Sequence, residues 1–129
     1  MTEFVTARLP DTEPTIEVPR PRPDTALVVL GGEHDLQSAP LVEQAAADAL
    51  LTCSHLIVDL SPVLFIDSSI INLLVQLRNE ANAKDRRFNL VVGTTPSVMR
   101  TLEICGVLPV LNHVSSVDAA LAESAPAAA

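Results

Sequence analysis

Ala26-Leu27-Val28-Val29-Leu30 is apolar without alternation, the pattern of a strand buried on both faces. Leu56-Ile57-Val58-Asp59-Leu60 and the stretch Asn89 to Val92 repeat it. Between these runs the spacing changes to a helical period. Ile70, Leu73, Leu74, Leu77 and Ala81 line one side of a helix expected from Ser68 to about Ala83. A shorter helix carries Pro40 in its first turn and Ser38 or Ala39 at its cap, with Leu41, Ala45 and Ala49 as the inner stripe. A third starts near Pro96, uses Val98, Leu102 and Cys105, and stops at Gly106. Thr15 to Val18 reads as a short edge strand, and Val107 to Leu111 as a last short strand. A final helix, capped by Ser115 or Ser116, runs through Val117, Ala120 and Leu121. Gly31-Gly32 reads as a tight turn ending the first long strand.

The order is β-β-α-β-α-β-α-β-α, which predicts one α/β domain with a largely parallel or mixed sheet covered by helices. Prolines 10, 14, 19, 21 and 23 break helix and central strand alike. Residues 1–14 are therefore expected as a flexible proline-containing arm, 15–123 as the domain and 124–129 as a disordered tail.

Composition narrows the function classes. Among 129 residues the only aromatics are three Phe, so no stacking platform for nucleic acid exists. Sixteen acidic against eight basic residues give a formal charge of -8, which repels nucleic acid and anionic membrane and suits a partner with a basic face. No apolar stretch reaches the length of a membrane span, and two cysteines make no disulfide scaffold, so a reducing cytoplasm is expected. Cys53 and Cys105 sit in apolar segments and are expected as buried thiols. His34, His55 and His113 are widely separated, and no Cys/His pair has metal-ligand spacing. A nucleophile elbow and a dinucleotide fingerprint are both missing. Glu33 and Asp35, with Asp59 or Asp67, read as a solvated acidic rim at the carboxyl edge of the sheet. The expectation is a binding domain, with no enzymatic activity, metal or cofactor.

Asp67-Ser68-Ser69 opens the longest helix. Asp67 suits the N-cap, where its carboxylate accepts the free N–H groups of the first turn. At 100° per residue, Ser69 falls with Asn72, Gln76 and Ala83 on the side away from the core stripe, within reach of another protein. Ile71 and Val75, beside Arg78, lie on the flank, where they either pack under a loop or form a small surface patch. A phosphate on Ser69 would add about -1.5 to -2 charges at a helix start that tolerates anions. A partner packed against the bare serine would then face a desolvated dianion and let go.

Several segments in order resemble the STAS domain family, specifically bacterial anti-sigma factor antagonists: Gly32-Glu33-His34-Asp35, His55 to Leu60, Phe65-Ile66-Asp67-Ser68-Ser69, Pro96 to Arg100, and Leu102 to Val107. The resemblance spans about residues 15 to 122. It implies a mixed four- to five-stranded sheet with helices packed on one side. It also implies phosphorylation of Ser69 by an anti-sigma factor that is an ATP-dependent serine kinase, and reactivation by a phosphatase. Contact with the anti-sigma factor is expected at Asp35, Asp67, Ser68 and Ser69 and on the first turns after them, including Ile71, Asn72 and Val75. The chain departs from the family in carrying Ile70 where Gly usually follows the serines, which sets a β-branched side chain beside the switch. The alternative reading is a non-switched scaffold or small-ligand sensor domain in a signalling assembly.

Overall fold

The runs that are apolar on both faces do become central strands. A computed structural model describes residues 12–123; the expected arm up to residue 11 and the tail 124–129 lie outside the described residues. The elements are β1 (Thr15–Glu17), β2 (Thr25–His34), α1 (Ala39–Leu50), β3 (His55–Asp59), β4 (Val63–Ile66), α2 (Ser68–Ala83), β5 (Arg87–Val91), α3 (Pro96–Cys105), a 3-10 turn (Leu108–Val110), β6 (His113–Val114) and α4 (Val117–Glu123). The sheet runs β1-β2-β3-β5-β6, with β4 also paired to β2. β1 is antiparallel to β2, and the other pairings are parallel, so the sheet is mixed.

Alternate residues of these strands serve two cores. Ala26, Val28, Leu30, Leu56, Val58, Leu60 and Leu90 join the apolar sides of α1, α2 and α3 in the main core. Leu27, Ile57 and Val91 point the other way and are covered by Ala120 of α4, with Val117 and Leu121 beside it. Helices therefore lie on both faces of the sheet. The expectation of helices on one side holds for the first three and fails for α4, which the inherently two-sided burial of β2, β3 and β5 requires.

Five local expectations are corrected. Gly31-Gly32 does not end β2; the strand continues to His34 and changes register at Gly32/Glu33. Gly32 has φ +74°, and a Cβ there would lie 2.1 Å from the carbonyl oxygen of Glu13, so only glycine lets that backbone pass. From Gly32 on, β4 takes over from β3 as the parallel partner of β2, and β4 is a strand that the element order expected from the sequence lacks. In α1 the buried positions are Val42, Ala46, Ala49 and Leu50, while Leu41 is 64% exposed. Leu41/Ala45 and Val42/Ala46 fit a 3.6-residue period equally, and burying Val42 with Leu50 removes more apolar area than burying Leu41 with alanines.

The stretch 107–111, expected as a strand, is mostly the 3-10 turn; Pro109 has no N–H for a ladder, and pairing with β5 starts only at His113. Cys105, expected inside, is exposed, because α3 buries only Val98 and Leu102 and its last turn leaves the body of the protein.

Helix α2 matches its expected bounds, and all five stripe residues are buried, joined by Ile71. Gly106 closes α3 in the left-handed conformation. Ser116 caps α4, its Oγ accepting from the N–H of Ala119 at 3.0 Å.

Candidate functional site

Asp67 is in extended conformation directly before α2, which aims its carboxylate back over the first turn. Its Oδ1 accepts from the N–H groups of Ser69 (3.0 Å) and Ile70 (3.2 Å), the N-cap arrangement read from the sequence. The same oxygen accepts the Ser69 hydroxyl at 2.5 Å. Oδ2 turns the other way and accepts the N–H of Leu36 at 3.2 Å. One carboxylate thus ties the start of α2 to the loop between β2 and α1. Partial burial opposes its charge, but the Ser69 hydroxyl and the N–H groups of Ile70, Leu36 and Ser69 outweigh that and hold its pKa below the usual Asp value.

The loop that meets Asp67 is itself braced. Asp35 Oδ1 accepts the N–H of Gln37 at 3.0 Å, and its carbonyl accepts the N–H groups of Ser38 and Ala39. Ser38 stands at the N-cap position of α1 but does not cap with its side chain. Its Oγ instead accepts the N–H of Asp35 (3.1 Å) and lies 2.9 Å from Nδ1 of His34. His34 is fully buried, and its Nε2 donates to the carbonyl of Thr15 at 3.1 Å. β1, the end of β2 and the loop are therefore locked through His34 and Ser38. Neither carried a distinctive spacing in the sequence.

Ser69 is half-buried and lines a groove of about 260 Å³ between the first turns of α1 and α2. Leu36, Pro40, Glu43, Asn72 and Gln76 share the lining. Gln76 Nε2 donates to Glu43 Oε2 at 3.1 Å across it. Ser68 and Asn72 are exposed, Asp35 and Asp67 half-buried. Ile71, at 2% exposure, belongs to the core, and half-buried Val75 packs against it, so the flank packs inward and forms no surface patch. Ile70 is fully buried. Its branched side chain points into the core and leaves the approach to Ser69 open.

Exposed apolar side chains around this end were not singled out from the sequence. Leu36 is 71% exposed, and Leu64 and Phe65 on β4 are about half exposed. A lone Leu inside the polar run 33–38 was the available signal for the first; Phe65, one of three aromatics, was that for the last. Asp59 is spent on the N–H of Ser61 at 2.9 Å. Among the described residues no group of three or more His, Cys, Asp or Glu is placed to hold a metal ion, and no helix is long and apolar enough to cross a membrane.

A capped helix start that holds a serine hydroxyl beside a braced loop, on a mixed sheet of this topology, defines a small α/β domain with its candidate site on a helix start. The family profile of the STAS domain matches residues 16–120, and the chain belongs to that family. Among solved structures it is similar to an anti-sigma factor antagonist from Mycobacterium paratuberculosis, with 25% identity over 91% of this chain and 97% of that one, and a TM-score of 0.78. It shares its fold with the phosphorylated form of the Bacillus cell fate determinant SpoIIAA (18% identity, 84% and 98% of the chains, TM-score 0.67). The same holds for a putative anti-sigma factor antagonist from Thermotoga maritima (19%, 84% and 92%, TM-score 0.72). No curated protein matches the sequence.

Proposed function

We propose that this chain is an anti-sigma factor antagonist, switched by phosphorylation of Ser69. The observation that carries the reading is the Ser69 hydroxyl, held by Asp67 at the mouth of an open groove, in a chain similar to an antagonist along nearly all its length. The unphosphorylated chain binds an anti-sigma factor of the ATP-dependent serine kinase type through Asp35, Asp67, Ser68, Ser69 and Asn72, with Leu36 supplying apolar contact. Binding frees the sigma factor. Residues 15–123 are the working unit in this reading.

Esterification of Ser69 removes the proton donated to Asp67 and sets a dianion beside that carboxylate. Two unit charges about 4 Å apart repel by about 1 kcal/mol in water and about 4 kcal/mol near a protein surface. The dipole and free N–H groups of the helix start return about 0.3–1 kcal/mol. A dianion doubles that repulsion, so the balance is a net cost to the free chain, from about the worth of one cap in water to several caps near the protein surface. A docked complex, in which the phosphate is also desolvated, loses far more. Release followed by removal of the phosphate by a phosphatase completes the cycle.

The test incubates the chain with candidate anti-sigma kinases and ATP and locates the modification by peptide mass analysis. One phosphoryl group on Ser69, absent in Ser69→Ala, and binding weakened at least about tenfold in Ser69→Asp are expected. Tight binding that ignores both ATP and Ser69→Asp overturns the switch in favour of a constitutive scaffold.

A further inference from the structure

The end of the domain opposite Ser69 holds a second cavity, of about 610 Å³, at the edge where β3 and β5 begin. Its lining combines Arg78 and Asn82 near the end of α2, Arg86 and Arg87 entering β5, Ser54 before β3, and Asn112 before β6. In a chain of net charge -8 with eight basic residues, three guanidinium groups around one cavity are a local inversion of sign.

Their charges are poorly compensated. Arg78 donates to the side-chain oxygen of its neighbour Asn79 at 3.1 Å, and among the described residues has no carboxylate partner. Arg86 is fixed by backbone carbonyls: Nη1 donates to those of Leu50 and Cys53, and Nε to that of Lys84. Its Nη2 donors remain. Arg87 meets Glu123 only at 3.9 Å, and Asp85 is the one carboxylate in the lining. Helix ends account for Arg86, which meets the last carbonyl of α1 and the C-cap carbonyl of α2, but not for Arg78 or Arg87, which bond no helix-terminal carbonyl among the described residues.

A second observation singles out the same place. Among the described residues the non-glycine residues with positive φ are Asp85 (60°) and Asn112 (49°), and both line this cavity. Asp and Asn adopt such backbone more readily than other side chains, and here it turns the chain around the cavity, just past the C-cap of α2 and just before β6. The volume falls in the range of small-molecule sites, and the lining is mostly polar.

We infer that this cavity is a binding site for a small hydrophilic polyanion, bearing phosphate or carboxylate groups, which the forks of Arg78 and Arg87 grip while Arg86 supplies a fixed charge. Arg78 lies nine residues along α2 from Ser69, about 14 Å by helical rise, so the ligand and the switch occupy opposite ends of one helix.

The test titrates the full unphosphorylated chain with inorganic pyrophosphate and, separately, citrate at constant ionic strength, read by backbone amide shifts and by melting temperature. Saturable shifts at Ser54, Asn82, Arg87 and Asn112, with a rise in melting temperature, are expected. Arg78→Gln and Arg87→Gln each weaken the affinity at least about tenfold, while Arg100→Gln, outside the cavity, leaves it unchanged. Preference for pyrophosphate assigns a phosphorylated ligand, and preference for citrate a polycarboxylate. No saturable response, equal affinity in the two cavity variants, or shifts confined to Asp67–Ile70 overturn the proposal. No kinase enters the assay, so its failure and failure of the Ser69 switch are read separately.

Discussion

Asp67 accepts four hydrogen bonds that join the start of α2 to the loop after β2, and its charge is favoured by them. Removing the side chain in Asp67→Ala leaves the first turn of α2 uncapped, and a loss of about 0.5–2 kcal/mol is expected in urea unfolding at pH 7. Because its pKa is lower folded than unfolded, the contribution is complete above the unfolded value of about 4 and disappears as pH falls through the folded one. The acid limb of the stability curve should therefore be flatter in Asp67→Asn. His55 shows the opposite chemistry with the same sign. Burial disfavours its charged form and lowers its pKa; the bond to Asn89 Oδ1 at 2.6 Å and Glu123 favour the charge, while Arg87 and Arg22 oppose it. The unfolded chain takes up this proton below about pH 6.5 and the folded chain does not, so stability falls as pH drops from that value towards the folded pKa. Denaturation midpoints between pH 7.5 and 5 check this, and His55→Gln should remove that part of the dependence.

At the scale of elements, long periodic segments were legible and short ones were not. α2 was readable to its end residues because Asp67 marks the start and five large or close-packed positions fix the inner side. α1 was readable as a helix but not in rotation, since its alanines leave two faces of nearly equal apolar content. The rotation is testable: Leu41→Ser should change stability by no more than about 0.5 kcal/mol. Val42→Ala, fully buried, should cost about 1–3 kcal/mol in the same urea experiment. β4 and the Gly32 bulge depend on contacts across the fold, between residues 32–34 and 63–66 and between Gly32 and Glu13, and no local pattern encodes them. Gly32→Ala should cost at least about 1–2 kcal/mol from its backbone conformation, before the collision with Glu13 is added. The serine, the cap and the groove side of α2 were legible because a helix converts spacing into direction. Leu36, His34 and Ser38 were not, because their roles come from a loop folded back on the sheet.

For the whole molecule, the excess of acidic charge favours encounter with a basic surface and should make association with the proposed anti-sigma partner faster at low salt. Raising ionic strength from about 50 to 500 mM is expected to slow association in stopped-flow binding more than it changes dissociation, as the Debye length shortens. The outer strands of the sheet have a further consequence. Among the described residues β1 is three residues long, β4, paired only to β2, four, and β6 two, so each edge offers few free backbone groups for another chain to extend as a strand. Partners are thereby steered to side chains on faces and loops. Adhesion by backbone pairing would be indifferent to what any one side chain carries, whereas adhesion through side chains can be cancelled by changing one of them. Short edges thus make the molecule's attachments erasable.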